Sequence, residues 1–198
     1  AATDAPTPRA TDGPTPGPTF APTVFEIRQQ WPSSGDGLRM TVQNAMSQRW
    51  QTVLRQVLTD WERGTPDAVQ FTRIQVDIDP GCAPVQGVIK ICNSDKGRSG
   101  GNRGFNTLLL DSEGKIAGAT VEMNDFFLTS ETLMQYNLCQ FVGHALGLKA
   151  LDEDYFNAPK GSCMDYSNDI SGEDMLTPST ADYEKLVQFY GEFRRVLR

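Results

Sequence analysis

The 198-residue chain has a single histidine, no long apolar run and no excess of basic residues. No stretch approaches the roughly 20 apolar residues that a membrane-spanning helix needs, so the sequence predicts no membrane span. The formal net charge of −7 argues against a surface that binds nucleic acid. The largest basic cluster, in the glycine-rich segment GRSGGNRG (97–104), is interpreted as a solvated loop.

Several common catalytic motifs are also missing. The segment GRSGGNRG lacks the Lys-Ser/Thr ending of a phosphate-binding loop. The cysteines show no CxxC spacing, which argues against a zinc site built from cysteines. No local motif pairs a serine or cysteine nucleophile with His144, the one histidine. Nucleotide-binding and nucleophilic chemistry are therefore not predicted.

The first 23 residues differ in composition from the rest of the chain. They are rich in proline and threonine and show no apolar periodicity. Such a segment cannot bury enough surface to order itself, so residues 1–23 are interpreted as a flexible linker. Its threonines are candidate carriers of O-linked glycans if the protein is secreted. The remaining residues, 24–198, are enough for one folded domain with its own core.

Residues 24–198 show strand-like and helix-like patterns in turn. Apolar residues at helical spacing predict a first helix from about 47 to 63. Two further helices are predicted at about 130–147 and about 179–197. Strand patterns occur at 38–42, 71–79, 87–93, 106–111 and 115–124. The order strand, helix, several strands, helix, irregular segment, helix predicts an α+β fold.

The four cysteines are an even number, for which the sequence alone allows three pairings. Cys82 and Cys92 flank a short strand-like stretch and make a natural local bridge, which would leave Cys139 to pair with Cys163. Two disulfides would place the protein in an oxidising compartment, and we expect it to be secreted. The alternative is four buried free thiols in a cytosolic protein.

Two short segments in the C-terminal half carry a family resemblance. GHALGL (143–148) contains a histidine followed three residues later by a glycine, and SCMDY (162–166) follows with Met164 twenty positions after His144. Together they resemble the metzincin clan of zinc metallopeptidases, whose site helix carries HExxHxxGxxH and whose chain later forms a turn at a methionine. The resemblance spans roughly residues 38–198 and is specific over 139–166.

This resemblance implies a zincin-like fold, with a mixed, twisted sheet of about four to five strands and three main helices. Gly147 would turn the chain out of the site helix, and Met164 would form the floor beneath the metal. Tyr166 matches a tyrosine that in some members lies beside the metal. Residues 115–124 fall where the clan has its edge strand, so a groove for an extended peptide is expected along Ala119, Thr120, Val121 and Glu122. A Cys139–Cys163 bridge would join the site helix to the methionine turn.

The chemistry of the motif is not retained. Gln140 stands where the first histidine belongs, Phe141 replaces the general base, and Ala150 replaces the third histidine. A catalytic zinc site needs three protein ligands, and hydrolysis needs a base to activate water. His144 could therefore supply at most one ligand to a metal ion, and Gln140 and Asp152 are weak candidates for further ligands.

Three functions remain open from the sequence. The first is a secreted pseudoenzyme, without a cofactor, that binds a peptide or protein. The second is an active zinc metalloendopeptidase whose non-standard ligands include His144, Gln140 and an acidic residue from 152–154. The third is a structural or adhesive domain on a glycosylated stalk. A monomer is expected in each case. The simplest structural alternative is that His144 is an ordinary helix histidine and Met164 an ordinary core residue.

Overall fold

The computed structural model describes residues 29–193. The linker predicted at residues 1–23 lies outside the described residues. The described chain is an α+β domain with one five-stranded mixed sheet and three α-helices, which confirms the predicted fold class at this level.

The elements follow the predicted order. The strands are β1 (Leu38–Ala45), β2 (Val69–Gln75), β3 (Val88–Ser94), β4 (Gly104–Leu110) and β5 (Ile116–Asn124). The helices are α1 (Gln51–Glu62), α2 (Glu131–Ala145) and α3 (Thr180–Tyr190). Short 3-10 turns lie at Gln48–Trp50, Arg98–Gly100 and Glu173–Leu176.

The strand order in the sheet is β2-β1-β3-β5-β4, and only β4 runs antiparallel to its neighbour. The expectation that residues 115–124 form the edge strand is therefore wrong, because β5 lies between β3 and β4. Ala119, for example, pairs with Ile89 on one side and Leu108 on the other. The cause is the tight turn between β4 and β5, which folds β4 back along the outer side of β5 and makes β4 the edge.

The strand predicted at 71–79 is displaced toward the N-terminus, since β2 starts at Val69 and ends at Gln75. Its side chains from Thr72 to Gln75 are all exposed. Polar and apolar residues alternate here although the strand lies at the edge of the sheet and neither of its faces is fully covered.

The core lies between the sheet and the helices. Every residue of the apolar stripe predicted for the first helix is buried: Trp50, Val53, Leu54, Val57, Leu58 and Trp61. The indole of Trp61 also donates a hydrogen bond to the carbonyl of Cys139 at 3.2 Å, which joins α1 to α2. Each such apolar side chain stabilises the fold by about 1.5–3 kcal/mol.

The first described residues cross the ends of three elements. The carbonyl of Gln30 accepts a hydrogen bond from the amide of Ile116 at 2.8 Å. The indole of Trp31 donates to the carbonyl of Ala145 at 2.8 Å, and its amide donates to the hydroxyl of Tyr190 at 3.2 Å. This segment therefore ties β5, α2 and α3 together.

Helix α3 ends at Tyr190, well before the predicted end at about 197. Gly191 has a φ of +77°, a conformation that side chains disfavour, and a Cβ there would overlap the carbonyl of Gly35. Phe193 was expected on the helix, but it lies beyond the turn, where the guanidinium of Arg39 is 4.4 Å from the centre of its ring.

Both disulfides are present, Cys82–Cys92 and Cys139–Cys163. The first joins the loop after β2 to β3, and the second joins α2 to the segment before α3. Two disulfides fit an extracellular or secreted protein. Among residues 29–193, no helix is long and apolar enough to cross a membrane.

Gly143 offers a test of how tightly α2 is packed. Alanine favours a helix interior by about 1 kcal/mol over glycine, but a Cβ at this position would overlap the sulfur of Met164 and approach Trp61. Overpacking of this kind costs about 1–3 kcal/mol, so we expect Gly143→Ala to lower the free energy of unfolding in urea. The double variant Gly143→Ala, Met164→Ala should lose less free energy of unfolding than the sum of the losses of the two single variants. If the two losses simply add, the contact between positions 143 and 164 is contradicted.

Candidate functional site

Helix α2 carries the candidate site and is well defined at both ends. The hydroxyl of Ser130 accepts a hydrogen bond from the amide of Leu133 at 3.3 Å, which caps the first turn of the helix. At the other end, Gly147 has a φ of +91° and the amide of Leu148 donates to the carbonyl of Gly143 at 3.0 Å. A Cβ at Gly147 would lie 2.6 Å from the carbonyl oxygen of Gln29. The chain therefore reverses out of the helix at a position that requires glycine.

His144 lies in the last turn of α2 and is held by this reversal. Its Nδ1 lies 2.9 Å from the carbonyl oxygen of Leu148, so Nδ1–H donates and Nε2 is the basic nitrogen. Burial lowers the pKa of His144, and the Leu148 carbonyl offsets only part of that effect. The side chain is therefore a neutral imidazole in one tautomer at neutral pH. A histidine that binds a metal is usually oriented by the same kind of second hydrogen bond.

The segment predicted as a methionine turn packs directly beneath α2. Met164 is fully buried, and its sulfur lies against Gly143. The turn is closed by the amide of Asp165, which donates to the carbonyl of Ser162 at 3.1 Å. The hydroxyl of Ser162 donates to the carboxylate of Asp182 at 2.5 Å and so fixes the turn to α3.

The side chain of Gln140 is hydrogen-bonded to this turn. Its amide donates to the main-chain carbonyl of Asp165 at 3.3 Å, and the hydroxyl of Tyr136 donates to the same oxygen. Gln140 is buried and is one helical turn from His144, but the two side chains line different clefts. The side chain of Gln140 is therefore held by the turn, outside the His144 cleft.

The first cleft, here called the His144 cleft, has a volume of about 780 Å³. Its walls come from the end of α2, the segment after it, β4 and α3, and include His144, Leu148, Ala150, Glu153, Leu108 and Lys185. Ala150, at the predicted third-ligand position, thus lies in the same cleft as the histidine but contributes only a methyl group.

The second cleft, here called the aromatic cleft, has a volume of about 520 Å³. Five aromatic rings contribute to its walls: Phe105, Tyr136, Phe141, Tyr155 and Tyr166. Tyr166 is 47% exposed, and its ring centre lies 5.0 Å from that of Tyr155. The retained tyrosine therefore lines this cleft together with Gln140, and not the cleft that contains His144.

Asn106 on β4 separates the two clefts and lines both. Its side-chain amide donates to the carbonyls of Thr120 and Phe141, both at 3.0 Å. The ring of Phe141 lies against Gly104, where a Cβ would come within 2.8 Å of the ring, and its centre is 6.0 Å from that of His144. An apolar ring thus occupies position 141, where the metzincin motif has its general base.

The carboxylate of Asp152 makes its contacts outside the His144 cleft. It forms an ion pair with Lys160, accepts a hydrogen bond from the side chain of Asn157 at 2.6 Å, and accepts another from the amide of Asp154 at 2.8 Å. The hydrogen bond from Lys160 is the main cause of the lowered pKa of the Asp152 carboxyl. Asp152 is not among the residues that line the His144 cleft, whereas Glu153 is.

Within the part of the chain that the structure describes, no three histidine, cysteine, aspartate or glutamate side chains converge as a metal site would require. His144 is therefore not part of such a cluster in the described residues. The donor set of Gln140, His144 and Asp152 does not fit a catalytic zinc ion, which needs three protein ligands around one point.

The peptide groove expected along residues 119–122 also requires correction. Ala119, Thr120 and Val121 are buried in the interior strand β5, and Glu122 pairs with Lys96 at 2.8 Å. The strand with an open side next to both clefts is β4. Sequence reasoning did not identify Asn106, because its role depends on a strand order that no local pattern reveals.

No protein-family model and no curated protein matches this chain. Its function is therefore inferred from the residues and contacts described above.

The single histidine makes the site easy to follow by pH. Because burial lowers the pKa of His144 below 6.5, the unfolded chain takes up a proton before the folded one does as the pH falls. We expect this histidine to reduce stability progressively below about pH 6.5, and its imidazole resonances in NMR to titrate below that value. His144→Gln should remove this contribution from the stability profile between pH 5 and 7. A titration midpoint above 6.5 would contradict the buried environment.

Proposed function

We propose that the chain is a metzincin-like domain that has lost peptidase activity and binds an extended peptide along β4, across the two clefts. The observation that carries this proposal is the state of His144. It is oriented as a ligand histidine would be, yet the side chains at 140, 141, 150 and 152 provide neither companion ligands nor a base.

Several features support the relation to the metzincin clan. The chain reverses out of the site helix at Gly147, and Met164 is buried under that helix. The Cys139–Cys163 disulfide joins the helix to the methionine turn. The five-stranded mixed sheet and the three helices also match the number of elements that the resemblance implies.

The loss of hydrolysis follows from two separate deficits. One imidazole does not hold zinc tightly, because the affinity of such sites comes from three or four ligands. Phe141 has no group that accepts a proton, so position 141 could not take a proton from water as the glutamate of the motif does. An active enzyme that uses Asp152 as a ligand is disfavoured because Asp152 is bound to Lys160 and Asn157, which leaves Glu153 as the acidic residue of 152–154 that lines the His144 cleft.

Peptide binding is supported by the open side of β4. The amide of Asn124 donates to the carbonyl of Arg103, and the amide of Thr107 donates to the Thr120 hydroxyl, so odd-numbered positions of this strand face β5. Because backbone groups alternate along a strand, the amides and carbonyls of Gly104, Asn106 and Leu108 face away from β5. An extended peptide paired there would place its side chains in the two clefts.

The proposal predicts binding without turnover. The purified protein should retain members of a pool of random-sequence peptides, and mass spectrometry should recover them uncleaved whether zinc or a chelator is added. Tyr166→Ala removes an exposed ring from the aromatic cleft and should weaken the retained peptides about threefold to tenfold.

Phe126→Ala is the matched control, because Phe126 is 43% exposed, close to the 47% of Tyr166, and lines neither cleft. Equal effects of the two substitutions would argue against the aromatic cleft as the binding site. Stoichiometric zinc in protein purified without added metal, with peptide cleavage that a chelator stops, would refute the pseudoenzyme.

Restoring the motif tests the relation to the clan. The triple variant Gln140→His, Phe141→Glu, Ala150→His should gain zinc binding, measured by equilibrium titration, since the reversal at Gly147 already directs position 150 to the His144 cleft. The variant that restores only Phe141→Glu is the control and should gain none. Failure of the folded triple variant to bind zinc would contradict a zincin-type arrangement of these positions.

A further inference from the structure

The two clefts beside β4 differ in charge. Among the described residues that line the aromatic cleft, Arg103 alone is charged. The His144 cleft contains lysines together with the acidic residues Glu153 and Asp182. A cleft whose one charge is positive favours a ligand with a negative charge at the same place, because like or absent charges leave the cation without a partner.

Arg103 also differs from the other arginines of residues 29–193 in its burial. Arg103 is half-buried, whereas the others are exposed: Arg39, Arg49, Arg55, Arg63, Arg73 and Arg98. The exposed Arg49 and Arg73 nevertheless form ion pairs, with Asp125 and Glu62. Within residues 29–193 the guanidinium of Arg103 has neither an ion pair nor a hydrogen bond. A partly desolvated charge without a partner is costly, and a carboxylate of a ligand would remove that cost.

The main chain at Arg103 is held in place by the fully buried Asn124. The side-chain amide of Asn124 donates to the carbonyls of Gly97 and Asn102 at 3.3 and 3.2 Å, and its side-chain oxygen accepts from the amide of Lys96 at 3.0 Å. The main-chain amide of Asn124 donates to the carbonyl of Arg103 at 2.9 Å. The glycine-rich loop is therefore ordered where it meets the cleft, which lowers the entropic cost of binding there.

Tyrosine hydroxyls line the same cleft. Those of Tyr155 and Tyr166 make no hydrogen bond within the part of the chain that the structure describes, so each can donate to an oxygen of a ligand. Burial raises the pKa of Tyr136, and the positive charge of Arg103 opposes part of that increase. The guanidinium is therefore close enough to Tyr136 to act on its hydroxyl.

We infer that the aromatic cleft binds an acidic side chain, aspartate or glutamate, of the extended peptide, with its carboxylate paired to the guanidinium of Arg103. This inference rests on the proposed function, because β4 would hold the main chain of the peptide. A main chain that runs along β4 sends side chains, and not its own end, into the clefts. A guanidinium suits this role because it binds a carboxylate through two parallel hydrogen bonds.

The charge of the whole chain makes the preference a specific one. The formal net charge is −7, so the protein has no general attraction for acidic peptides. A preference for them would have to come from local contacts such as the one with Arg103.

Two peptide pools that differ at one central position test the inference. Both have blocked ends and random uncharged flanks, and the central residue is glutamate in one pool and glutamine in the other. The full chain should retain the glutamate pool about tenfold more strongly, as measured by mass spectrometry of the bound fraction. Equal retention would overturn the carboxylate contact and leave peptide binding intact, whereas retention of neither pool would overturn the proposed function as well.

A third pool identifies the source of the carboxylate. It has the central glutamine and a free C-terminal carboxylate, and it should be retained no better than the blocked glutamine pool. If it were retained as strongly as the glutamate pool, the cleft would bind the end of a chain, and recognition of an acidic side chain would be refuted.

Charge reversal assigns the preference to one residue. Arg103→Gln should abolish the preference for glutamate, and Arg103→Glu should replace it with a preference for a pool with central lysine. Arg98→Glu is the matched control, since it makes the same change of charge in the same loop, but Arg98 is exposed and lines neither cleft. It should keep the wild-type preference.

Thermal unfolding shows whether these variants remain folded. The guanidinium of Arg103 has no partner within residues 29–193, so its replacement should leave the unfolding temperature close to that of the wild type. A folded Arg103→Glu variant that still prefers glutamate, or equal effects of Arg103→Glu and Arg98→Glu, would overturn the inference.

Discussion

The main-chain carbonyl of Asp165 accepts hydrogen bonds from both Tyr136 and Gln140, and the arrangement of the two clefts depends on this contact. It draws Gln140 toward the turn that follows the disulfide at Cys163, one helical turn away from His144. The same turn supplies Met164 beneath the helix and Tyr166 to the aromatic cleft. The side chains of Tyr136 and Gln140 are therefore engaged in structural hydrogen bonds with this turn.

This arrangement determines how the imidazole of His144 can bind a ligand. The bond from Nδ1–H to the carbonyl of Leu148 fixes the orientation of His144 and leaves Nε2 basic. Burial then opposes protonation, so the ring remains an acceptor for a ligand's hydrogen-bond donor. Beside the ring of Phe141 and the methyl group of Ala150, that property suits recognition of a peptide amide better than water activation.

Local sequence patterns predicted much of this structure, and the errors share a cause. The stripe of apolar residues in α1, the start of α2 near residue 130 and the reversal at Gly147 depend on neighbours in the chain, so the local pattern was sufficient. The interior position of β5 and the ion pair of Asp152 with Lys160 depend on distant pairing or on the path of a loop. The early end of α3 belongs to the same class, because the close approach of Gly191 to Gly35 exists only in the folded chain.

The first described residue has a practical consequence. Gln29 lines the His144 cleft, and its carbonyl lies where a side chain at Gly147 would be. The backbone thus enters the domain through the wall of that cleft, while at the other end the amide of Phe193 donates to Asp67, just ahead of β2. Side-chain changes at Gln29 would therefore reshape the wall of the His144 cleft directly, whereas changes at Phe193 would act beside Asp67, ahead of β2.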